Sequence, residues 1–69
     1  MSIKTIRIPV SELYKLAEQM NEDRMTEVKI SIIDAQLDQG HISPPFAHFE
    51  AFDSDGTAYD YGSVDSASD

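Results

Sequence analysis

The sequence predicts an α+β fold in the order β-α-β-β-β. The expected form is a mixed four-stranded sheet with one short helix packed on one face and a disordered acidic C-terminal tail. Three observations predict it. Ile6, Ile8 and Val10 recur at every second residue, and Leu13, Leu16, Ala17 and Met20 recur at helical spacing. Beyond them, "FAHFEAF" and "TAYDY" alternate on either side of an Asp-Gly pair.

Each element has its own grounds. In "IKTIRIPV" the β-branched residues share one face, and Pro9, which cannot donate to a ladder, ends the strand or holds it at an edge. "VSELYKLAEQMNED" then changes period. Ser11 is a good N-cap, Glu12 suits the positive end of the helix dipole, and Asn21 is a plausible stop. So short a helix is unstable alone, so its apolar stripe must pack on a sheet. "TEVKISIIDAQLDQG" is the most β-like run, with Val28, Ile30 and Ile32 on one face. "GHISPP" reads as the longest irregular link, stiffened by Pro44 and Pro45. "FAHFEAF" and "TAYDY" complete a meander. The predicted domain is 1–62. Residues 63–69, small, polar and acidic, form the predicted tail.

Composition bounds the function. A chain of 69 residues makes one small domain. Such a domain buries only roughly 60% of its unfolded surface, so its stability is marginal. Starting at Met1 without a tag, the chain is expected to be complete. No cysteine is present, which removes disulfides and thiolate metal sites and fits a reducing compartment. The alternating N-terminus is unlike a signal peptide, and no run is long enough to span a membrane, so a cytoplasmic location is expected. The five lysines and arginines all lie within residues 1–32, where five acids balance them. The whole net charge of −8 therefore sits in residues 33–69. That half repels nucleic-acid backbones and anionic lipid, so neither is an expected partner.

"DSDG" poses the choice between a calcium loop and a turn. With Gly56 at the sixth position of a calcium loop, Asp53 and Asp55 fall at the third and fifth. The first position is then Ala51 and the twelfth Gly62, so the closing bidentate ligand is missing. A two-residue type I′ turn at Asp55-Gly56 is the better reading. It pairs Phe52 with Tyr59 and Glu50 with Tyr61, and it avoids a like-charge Glu50–Asp60 pair. His48, Glu50, Phe52, Tyr59 and Tyr61 then share one face, with Ala47, Phe49, Ala51 and Ala58 on the other. The first set is the predicted interaction surface, because tyrosine and phenylalanine suit interfaces.

No catalytic chemistry stands out. The sequence lacks a phosphate-binding glycine loop, a nucleophile elbow, and a carboxylate pair in apolar surroundings. His48 with Glu50, or Asp53, Asp55 and Asp60, could hold a divalent ion only weakly, and no cofactor is expected. The expected function is a non-catalytic protein-interaction or regulatory module, docked on a protein partner or homodimeric through its exposed sheet face. The alternative is a nucleic-acid-mimicking inhibitor of a DNA-binding protein, and a weak metal-binding domain comes after it.

Overall fold

The computed structural model describes residues 4–67. It is an α+β fold with one helix, α1 (Val10–Glu22), and five strands: β1 (Glu27–Ile33), β2 (Gln36–Asp38), β3 (His41–Ser43), β4 (Phe46–Phe52) and β5 (Ala58–Asp65). β1, β4 and β5 form one sheet in the order β1-β4-β5, while β2 and β3 pair with each other. Every pairing among the described residues is antiparallel. The sheet is therefore neither mixed nor four-stranded, and the expected parallel crossover is absent among these residues.

The missing strand is the N-terminal one. Residues 4–9 run in no ladder. Ile6 and Ile8 nevertheless turn inward and pack on the core, while Thr5 and Arg7 stay exposed. Period two here marks an extended chain that buries alternate residues without pairing. Pro9, rather than Ser11, is the N-cap, with extended backbone and no side-chain cap. The Pro9 carbonyl accepts from the Glu12 and Leu13 amides at 3.1 and 3.2 Å. At the other end Arg24 adopts φ 65°. The Arg24 amide reaches the Asn21 carbonyl, and the Met25 amide reaches Met20 at 2.9 Å. This is a Schellman stop, which turns the chain sharply into β1.

β1 to β4 is one long ribbon. The pairs Glu27↔Phe52 and Ile33↔Phe46 keep the same register as Gln36↔Ser43 and Asp38↔His41. Between the two ladders, Asp34 and Ala35 come opposite Pro45 and Pro44. Two prolines supply no donors, so the ladder breaks there and resumes beyond. Half of the predicted link, His41–Ser43, is therefore strand, entered from a two-residue turn in which Gln39 and Gly40 have φ 50° and 84°. β2 and β3 project past the sheet as an arm, and the molecule is 42 Å long.

The core is small. Met20, Ala47, Phe49 and Ala51 are buried, with Leu16, Met25, Tyr61 and Val64 packed around them. β4 alternates buried and half-buried along its length, so the small alanines admit the helix while Phe49 fills the space beneath it. β5 runs on to Asp65, so Ser63, Val64 and Asp65 belong to the sheet rather than to a tail. The Ser66 amide donates to the Pro45 carbonyl and Ala67 to Arg7. The predicted tail residues 68 and 69 lie outside the described residues.

The "DSDG" turn is a turn, but a three-residue one. The Asp53 amide pairs with the Thr57 carbonyl at 3.1 Å, and the Gly56 amide bonds the Asp53 carbonyl at 3.0 Å. Gly56 has φ 83°. A side chain there would meet open space, so the cost of adding one is purely conformational. Gly56→Val is expected to lose roughly 1–3 kcal/mol in urea unfolding, because a β-branched residue fits positive φ poorly.

Candidate functional site

The turn sets the register, and the register decides which residues share a face. The Asp53 carboxylate Oδ1 accepts from the Asp55 amide at 2.9 Å and the Thr57 amide at 3.0 Å, and Oδ2 accepts from the Tyr59 hydroxyl at 3.3 Å. The Thr57 amide leads the contacts that hold the Asp53 carboxyl below the ordinary aspartate range. This network fixes three residues in the loop. It therefore pairs Phe52 with Ala58, Ala51 with Tyr59 and Glu50 with Asp60. The like-charge pair that favoured a two-residue turn is present. Its repulsion is relieved from both sides, by Lys29 at 4.0 Å from Glu50 and His48 at 2.9 Å from Asp60.

A one-residue slip moves side chains to the opposite face. The predicted surface is accordingly split. His48, Glu50 and Phe52 stay on the outer face, joined there by Lys29, Ala58 and Asp60. Tyr59 and Tyr61 move to the helix side, and Ala58 leaves it. A bulge between His48 and Glu50 lets β5 carry one extra residue, with Gly62 at φ 83° and its amide on Asp60 Oδ1 at 2.8 Å. Gly62 and then His48 hold the Asp60 carboxyl down. The Tyr61 hydroxyl donates to Asp23 at 2.6 Å, tying the end of the helix to β5. That bond pushes Tyr61 up to about 12 and lowers Asp23.

These carboxylates make stability depend on acid. Asp53, Asp23 and Asp60 titrate lower folded than unfolded, so their contribution is present above about pH 4 and lost as pH falls through their folded values. Tyr61 acts in the opposite sense: its contribution holds below pH 10 and fades as pH rises toward about 12. In thermal melting at a series of pH values, Asp53→Ala should flatten the acid limb and lower Tm at neutral pH. Asp53→Asn should lower Tm much less, since an amide oxygen still accepts both backbone bonds.

Chemistry on the outer face is confined to paired groups. His48 bonds Asp60, and Asp53 is engaged in its own turn. Among the described residues, no group of three or more acids and histidines is placed to hold a metal ion. Several described acids of the second half have partners. Asp34 pairs with Lys4, Glu50 with Lys29 and Asp60 with His48, while Asp53 and Asp55 sit in the turn.

The surface that stands out is one the sequence reading missed. β1 is an outer strand of the sheet, with no neighbour on its far side among the described residues. Val28, Ile30 and Ile32 lie on the helix side opposite Ala51, Phe49 and Ala47. The helix does not cover them all. Val28 is 46% exposed and Ile30 52%. Beside them an open groove of about 220 Å³ runs between helix and strand, lined by Ala17, Met20, Met25 and Val28. On the arm, the facing residues Leu37 and Ile42 are 75% and 77% exposed. The alternation of β1 was legible. That one short helix would leave its edge half bare follows only from where the Schellman stop places that helix. No family model, curated protein or solved structure matches the chain.

Proposed function

We propose that the protein is a non-catalytic interaction module that takes a protein partner along the free edge of β1. One juxtaposition carries this reading: a strand edge unpaired among the described residues, with half-exposed Val28 and Ile30 beside it. Strand addition gains main-chain hydrogen bonds from such an edge, and alternate side chains supply specificity. β5 is a poorer acceptor, because Asp60, Asp65 and the bulge at Gly62 blunt it. The polar network supports a non-catalytic role. Asp53 closes a turn, Asp23 anchors the helix end through Tyr61, and Asp60 holds a bulge. The pairing of Asp34 and Glu50 with lysines weakens the nucleic-acid-mimic reading. Absence of cysteine favours a reducing, cytoplasmic setting, and no helix among the described residues is long and apolar enough to cross a membrane.

Display of random peptides against the purified protein tests the reading. Selected peptides should alternate apolar and polar residues, and Ile30→Lys should weaken them at least tenfold. Peptides indifferent to Ile30→Lys but lost with Phe52→Lys would place binding on the outer face and contradict it.

A further inference from the structure

We infer that the occupant of this edge is a second copy of the chain, in a two-fold dimer whose β1 strands pair antiparallel about Ile30. The inference rests on the edge-binding reading and names its partner. β1 is self-complementary in one register. Centred on Ile30, residues 27–33 overlap their copy completely. Ile30 meets Ile30 of the second copy, and Val28 meets Ile32, all on the half-covered apolar face. Lys29 meets Ser31 and Glu27 meets Ile33, so no like charges face each other. The neighbouring two-fold register in one direction sets Lys29 against its own copy. In the other direction the strands overlap only over 29–33, and Val28 goes unpaired.

Charge agrees with a second copy. The acids in excess lie after residue 32, whereas residues 1–32 sum to zero, so the strands meet in the neutral half of an otherwise repelling chain. The chain exposes 5533 Å². A compact monomer of 7.7 kDa would expose roughly 4300 Å². The difference, roughly 1200 Å², is surface that the elongated chain leaves uncovered. The arm and the bare strip of β1 both contribute to it. In the dimer the arm continues past Ile33 alongside Thr26 and Met25 of the second copy.

The test uses the full chain, which has no cysteine of its own. Directly opposed residues of an antiparallel pair bring their Cα atoms within disulfide range. Ile30→Cys should therefore give a disulfide-linked dimer under mild oxidation, while Tyr14→Cys, exposed on the helix, should not at the same concentration. Sedimentation of the wild type should show a monomer–dimer equilibrium, and Ile30→Lys should raise its dissociation constant at least tenfold with an unchanged far-UV spectrum. A wild type that stays monomeric at hundreds of micromolar, or equal cross-linking of both cysteine variants, would overturn the dimer. If displayed strand peptides still bind such a monomer and Ile30→Lys still removes them, the edge-binding reading survives. If they do not bind, both fail.

Discussion

Phe49→Ala is expected to cost about 3–5 kcal/mol, measured as a shift in the urea midpoint at constant slope. Phe49 is the largest fully buried side chain, and it lies beneath the helix between the two small residues Ala47 and Ala51. Alanine at all three positions would leave a void that neither the helix nor β1 can close. A domain of this length holds on the order of 3–10 kcal/mol in total. The variant should therefore be largely unfolded at 25 °C, not merely less stable. By contrast Leu37→Ala, equally apolar but out on the arm, should move the midpoint of dilute protein by no more than about 0.5 kcal/mol.

Met20→Ala is the second large effect, with an expected loss of roughly 2–5 kcal/mol. Met20 is the one buried residue of the helix, and its carbonyl also accepts the Met25 amide in the stop that leads into β1. Truncation removes the apolar anchor but leaves that backbone bond. In a Tyr14→Phe background, which leaves only the β5 tyrosines, the helical far-UV signal should therefore melt earlier in urea than the tyrosine fluorescence. Coincident transitions with unchanged midpoint would show that the helix is held by something other than Met20.

Much of this architecture can be read from residue spacing. The 3.6-residue recurrence of Leu13, Leu16 and Met20 marks the helix, and the alternation through Ala47, Phe49 and Ala51 marks the buried face of β4. The faces of β5 could not be read, because they hang on a single residue of loop length. Cross-strand charge argued for two residues. Asp53 decided for three, by accepting two backbone amides and a tyrosine hydroxyl at once. Repulsion between exposed carboxylates is worth little once Lys29 and His48 stand beside them. Tyr59 and Tyr61 changed face as a result, and the predicted interaction surface divided. The arm was hidden for another reason: its strands are three residues long and its Gln39-Gly40 turn lacks the asparagine or aspartate that usually announces one. Ile6 and Ile8 show the reverse case, a clear two-residue period in a segment that buries its side chains without joining a sheet.

The most direct test of the β1 edge is amide hydrogen exchange, residue by residue, as the protein is concentrated from micromolar to millimolar. In a free edge strand alternate amides point away from the sheet and exchange readily. The amides of residues 27–33 that face away from β4 should gain protection with concentration, while those along the outer side of β5 keep their rates. Outward amides of β1 that exchange equally fast at every concentration, or protection that appears on β5 instead, would contradict assembly through this edge.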